Sequence, residues 1–147
     1  MPGDHPVPGS GAGAFHRAST LRFAPLPTAI ACARLHAVNM LHEWGLRVMA
    51  DDVALIVSEL MTNALNASVV LADRPPIALG LRATRERLIV QAWDHSPLDA
   101  APASPDADEE NGRGLAIVAA LSNRWGAQHF APNLKVIWAE IEIPATR

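Results

Sequence analysis

The segment Ser58-Glu59-Leu60-Met61-Thr62-Asn63-Ala64 sets a carboxylate and a carboxamide four residues apart. On a helix the two side chains project from one face, one turn apart. A carboxylate so placed can take a proton, and a carboxamide oxygen suits magnesium, which favours oxygen ligands. Thr62 and Asn66 lie nearby on the same polar side. Alone, this pattern reads first as a solvated helix face. A second candidate is Asp94 in Trp93-Asp94-His95-Ser96-Pro97, where an apolar run ends. A strand-end carboxylate can accept hydrogen bonds from an exocyclic amine. It can as well start a turn, since Asp and Ser-Pro commonly open loops. The third candidate is Asn111-Gly112-Arg113-Gly114-Leu115. Two glycines let backbone approach an anion, a helix start offers unpaired N–H groups, and Arg113 adds a permanent charge. That combination suits a polyphosphate, although a lone Gly-Arg-Gly also serves as an ordinary helix start.

The elements that must carry these groups follow from periodicity. Arg17 to Phe23 alternates weakly and reads as an edge strand. Pro27 and Thr28 open a helix to about Trp44, where Gly45 ends it, with Ile30, Ala33, Ala37, Leu41 and Trp44 as its apolar stripe. Asp51 or Asp52 caps a second helix to about Val70, with Val53, Ile56, Val57, Leu60, Ala64 and Ala67 along the core-facing flank. The pattern then predicts a hairpin from Ile77 to Leu81 and Leu88 to Trp93, turning at Thr84 to Glu86. Residues 96–111, rich in Pro, Ala, Asp and Glu, read as a mobile lid, and its acidic residues Asp106, Asp108, Glu109 and Glu110 would repel a triphosphate unless offset. A helix from Gly112 to Trp125 with Leu115, Val118, Ala119 and Ser122 in register follows, then a closing pair, Ala127 to Phe130 and Val136 to Ile143. This order predicts an α+β two-layer sandwich, a largely antiparallel sheet with helices on one face.

Composition bounds the function. With 147 residues, half of them hydrophobic, the chain can close one core. Residues 1–14 are expected to form a disordered arm without signal-peptide character, and residues 15–147 the domain. A net charge of -3 with scattered arginines gives no pull towards nucleic acid. Charges interrupt every apolar segment, which argues against a membrane span. The single cysteine, Cys32, makes no internal disulfide, fits a reducing cytoplasm, and reads as a small core residue of the first helix. Lys135, the sole lysine, follows no GxxxxG loop, so a Walker A site is absent. The six histidines show no metal-ligand spacing and receive no role.

Taken in order, Ser58 to Ala64 resembles the N box of the GHKL (histidine-kinase-like) ATPases, Asp94 stands where their first glycine box begins, and Gly112-Arg113-Gly114-Leu115 resembles the second. The closing Val136-Ile137-Trp138-Ala139-Glu140-Ile141 resembles the last strand of the short anti-sigma-factor serine/threonine kinases of Gram-positive bacteria. The resemblance spans about Arg17 to Pro144 and implies the Bergerat fold. It further implies ATP and Mg2+ as cofactors, Glu59 as general base, Asn63 as magnesium ligand, Asp94 as the adenine-amine acceptor, and Gly112, Arg113 and Gly114 as phosphate holders. Asn66, Ser96 and Leu115 complete the implied nucleotide site. The implied partners are an anti-sigma-factor antagonist as phosphoryl acceptor and a sigma factor; relatives of this type are often homodimers. The chain departs from the family where His95, Ser96, Pro97 and Leu98 replace the first-box glycines, at Asn66 and Ala67, and near Lys135 and Val136, where a threonine is usual. A nucleotide-binding regulatory module without phosphoryl transfer is the alternative that these departures leave open.

Overall fold

The computed structural model describes residues 15–97 and 109–145. Strand β1 (Arg17–Phe23) leads into helix α1 (Thr28–Glu43), and a short 3-10 turn (Arg47–Met49) leads into helix α2 (Ala50–Val69). Strands β2 (Ile77–Ala83) and β3 (Arg87–Asp94) follow, then helix α3 (Glu109–Leu121) and strands β4 (Arg124–Ala131) and β5 (Leu134–Glu142). The five strands form one sheet in the order β1-β2-β3-β5-β4, each neighbouring pair antiparallel. The expected α+β sandwich with an antiparallel sheet is the observed architecture. β1 is an edge strand, as its weak alternation suggested, and the Thr84 hydroxyl accepts the N–H groups of Glu86 and Arg87 to close the expected hairpin.

α2 is the central helix, packed between α1 and α3 and lying on β2 and β3. Its buried side, Val53, Ile56, Val57, Leu60, Met61, Ala64 and Leu65, meets Leu79, Leu81, Leu88, Val90, Ile137 and Ala139 of the sheet. Burying each large aliphatic side chain here contributes about 1.5–3 kcal/mol, which outweighs the modest helix propensity of β-branched residues. On the opposite face of the sheet Ala78, Ile89, Trp93, Val136 and Trp138 form a second apolar cluster, with Phe130 stacked on Trp93 at 5.3 Å between ring centroids.

Several boundaries differ from expectation. α2 starts at Ala50, and neither Asp51 nor Asp52 caps it; both lie in its first turn, exposed. The preceding 3-10 turn already delivers the chain in helical geometry, so no side-chain cap is engaged. Ala67 is only partly buried, and Leu65 and Ser68 extend the core flank instead. α3 begins at Glu109, three residues early, because Glu is a good helix former that complements the positive end of a helix dipole. It ends at Leu121, where both the N–H and the hydroxyl of Ser122 turn back to the Val118 carbonyl, so Trp125 belongs to β4. Cys32 is exposed: α1 buries Ala29, Ala33, Ala37 and Leu41, and one residue's rotation turns the thiol outward. Of the expected lid, residues 98–108, including Asp106 and Asp108, lie outside the described residues, as does the arm 1–14. Among the described residues no helix is long and apolar enough to cross a membrane.

Candidate functional site

α2 presents its candidate residues along the border between core and solvent. Glu59, Thr62 and Asn63 are half-buried, and Asn66, further along the helix, is exposed. The border is fixed by the core residues beside it, since Leu60 and Ala64, next in sequence to Glu59 and Asn63, are fully buried or nearly so. Ser58, which opens the motif, donates to the Ala54 carbonyl at 2.9 Å and accepts from the Arg34 guanidinium of α1 at 3.1 Å. The rotational setting of α2, and with it the direction of Glu59 and Asn63, is therefore held from the sheet and from α1.

α3 closes on this border. Gly114 is buried, and a Cβ built on it would stand 2.7 Å from Oε2 of Glu59, closer than real Cβ atoms come. The second glycine of Gly112-Arg113-Gly114 thus faces the N-box carboxylate, and its missing side chain is what admits that carboxylate. Leu115, next to it, is buried and joins Val118 in the main core, which anchors the helix. Because α3 starts at Glu109, Gly112 and Arg113 belong to the helix, and Gly114 lies beyond its first turn. The unpaired N–H groups of a helix start are those of its first four residues, so the free donors here lie N-terminal to Gly114.

Asp94 sits at the last position of β3, on the sheet face that carries the helices, and is 1% exposed. The Ser96 N–H donates to its Oδ1 at 2.7 Å, and Lys135 Nζ of β5 lies 3.5 Å from its Oδ2. Asp94 and Lys135 are opposite each other in the strand register. Burial pushes the Asp94 carboxyl above the usual carboxylate range, against the opposing pull of Lys135, the Ser96 N–H and His95. Ser96 is buried, and His129 Nε2 of β4 lies 3.3 Å from its carbonyl oxygen. The His95 ring is held by the Asn133 carbonyl at 3.1 Å. Two histidines without an assigned role thus brace the exit of β3, and a third, His36 of α1, pairs through Nε2 with the Ser19 hydroxyl of β1 at 2.8 Å.

The structure joins Glu59 to Gly114 across α2 and α3, and joins Asp94 to Ser96 and Lys135 across β3 and β5. Asn63 lies one turn beyond Glu59, and Asn66, further along α2, is exposed. Lys135 was not among the expected site residues. Its signal was present: a lone lysine in an apolar strand, at an inward position of the alternation. A cavity of about 750 Å³ lies at the other end of the sheet, between His16, Trp44 and the Arg85–Glu86 turn, and takes none of the expected residues. The smaller cavity of about 140 Å³ beside Trp93 and His95 borders the exit of β3 on the other face of the sheet.

The donor set fits an adenine nucleotide with magnesium. A carboxylate with free lone pairs can meet a base amine, a carboxamide oxygen can meet a hard cation, and a glycine-containing helix start can meet phosphate. The family model for the histidine kinase-like ATPase domain matches residues 23–140, from the end of β1 to the last buried residues of β5. No curated protein matches the chain. The match covers most of the chain and contains both joined groups, so the chain belongs to the histidine kinase-like ATPase domain family, with the ATP binding that membership implies.

Proposed function

We propose that the protein is an ATP-dependent serine/threonine kinase of the anti-sigma-factor type, acting on an anti-sigma-factor antagonist in a partner-switching pathway that also restrains a sigma factor. The observation that carries this reading is the approach of Glu59 to Gly114, which sets a half-buried carboxylate against the helix whose start would hold phosphate. Asp94 would accept the adenine amine, and Ser96 would hold it in direction through the N–H it already donates. The phosphates would lie towards the start of α3, near Gly112 and Arg113. Magnesium, when bound, would take the Asn63 carbonyl oxygen as a ligand and neutralise charge on the phosphates. Glu59 would accept the proton of the acceptor hydroxyl as that oxygen forms its bond to the γ-phosphorus, the bond to the β-phosphate bridging oxygen breaks, and ADP leaves.

The second reading, a nucleotide-binding regulatory module that grips a partner without transfer, is favoured by one observation. Val136, fully buried in an apolar cluster, and Lys135, committed to Asp94, occupy the part of the last strand where a threonine is usual. Incubation with γ-labelled ATP and co-purified partners separates the two. Label on a partner serine or threonine supports the kinase; tight Mg-ATP binding with no label on any partner supports the module.

A further inference from the structure

The inward residues of β5 after Lys135 are Ile137, Ala139 and Ile141, all packed in the main core. A lysine interrupts this apolar row at the one position where Asp94 faces it, with its side chain 5% exposed. An ammonium out of water is costly unless a partner offsets it, and Asp94 is that partner. The carboxylate is not exhausted by the arrangement. It offers about four lone-pair directions, of which the Ser96 N–H takes one at 2.7 Å and Lys135 approaches another at 3.5 Å. We propose that Lys135 is a positioning residue for base recognition, holding the Asp94 carboxylate ionised and fixed in direction so that its remaining lone pairs meet the exocyclic amine of a nucleotide base. This inference rests on the reading of Asp94 as the adenine acceptor.

The chemistry favours the charge. A protonated carboxyl keeps one good acceptor and offers its hydroxyl as a donor, whereas the carboxylate accepts through both oxygens and with its full charge, which makes the hydrogen bond from the amine stronger. Burial works against ionisation at Asp94, and Lys135 is the largest opposing influence. Of the other groups around it, His95 acts in the same direction from the adjoining residue, while the carboxylates on α2, the helix packed on β3, are Asp51 and Asp52 in its exposed first turn and Glu59 facing Gly114. Without Lys135 the carboxyl takes its proton at higher pH, so base affinity falls as pH falls.

Adenosine and ATP binding are measured by calorimetry at pH 8, 7 and 6 for the parent, Lys135→Met and Lys135→Arg. The parent is expected to vary by less than about threefold over this range. Lys135→Met should lose adenosine and ATP by the same factor and fall by up to about tenfold for each pH unit in which its carboxyl titrates. Lys135→Arg should restore the flat profile. A Lys135→Met profile parallel to the parent's overturns the proposal, and so does a loss confined to ATP, which would make Lys135 a phosphate contact. If the parent binds neither ligand, the nucleotide reading fails and the proposal with it; in the two former cases only the proposal falls. Should Lys135→Met not fold, the Asp94 carboxyl carbon is followed by NMR in the parent, assigned with Asp94→Asn. A carboxylate at pH 7 that shifts on adding adenosine supports the proposal, and a protonated group at pH 7 overturns it.

Discussion

Glu59 shares its surroundings with the absent side chain of Gly114, and that pairing separates binding from chemistry at single residues. Glu59→Gln keeps the shape of the side chain and removes its basicity. It should leave ATP affinity within about twofold and slow single-turnover transfer by roughly 100-fold, checked by calorimetry and labelled-phosphate transfer on the same preparation. Unchanged transfer would remove Glu59 from the role of base. Asp94→Asn does the converse. It replaces one acceptor oxygen by a donor facing the base amine and leaves the Lys135 ammonium buried without its charge partner, so adenine nucleotide binding should weaken by about 1–3 kcal/mol. Equal ATP affinity for variant and parent would take Asp94 out of the site. The spacing of Glu59 and Asn63 was legible as one helix face because a period of 3.6 residues dictates it. That Asp94 is paired with Lys135 was not legible, since the two are joined by strand register and not by nearness along the chain.

Among the elements, α3 carries the largest difference between expectation and outcome. A glycine pair read as a loop entering a helix is instead inside the helix, which Leu115 and Val118 anchor to the core. Propensity alone would break the helix there, glycine costing about 1 kcal/mol relative to alanine; the close fit against α2 overrides it. Gly114→Ala should therefore leave the melting temperature level or slightly raised, because the atom in the way is the free end of the Glu59 side chain, which can turn aside. The displaced carboxylate should slow phosphoryl transfer while nucleotide still binds. A large fall in melting temperature would mean that Glu59 is locked in place by the fold. The end of α1 behaves differently. Gly45 has φ +75°, with its N–H bonded to the His42 carbonyl at 3.2 Å and that of Leu46 to the Leu41 carbonyl at 2.7 Å, the pair of bonds that closes a helix on a left-handed residue. Nothing lies within 4 Å of a Cβ at this position. Gly45→Ala should cost about 1 kcal/mol by backbone conformation alone, read as a shifted denaturant midpoint with an unchanged slope. A neutral result would show that the turn relaxes.

At the scale of the whole molecule, binding must register as stability, because a ligand held by the folded state and not by the unfolded chain displaces the equilibrium. At a concentration about 100 times the dissociation constant, Mg-ATP should stabilise the protein by about 2.7 kcal/mol, roughly 5–10 °C in melting temperature for a domain of this size. Asp94→Asn should reduce that shift. The absence of any shift at millimolar Mg-ATP would oppose nucleotide binding altogether.

The sequence by itself determined the fold class, the order of the elements and the helix face carrying Glu59 and Asn63, since these depend on local periodicity and on glycine and proline punctuation. It also determined the family, because three short motifs kept their order and spacing. Tertiary structure alone decided that Leu65 and Ser68, not Ala67, extend the core flank of α2, that Cys32 faces outward, that α3 runs through its glycines, and that Gly114 meets Glu59. It alone brought Lys135 to Asp94. Each of these depends on the free energy of burying one surface against another, or on the pairing of strands distant along the chain, and neither is written in a window of neighbouring residues.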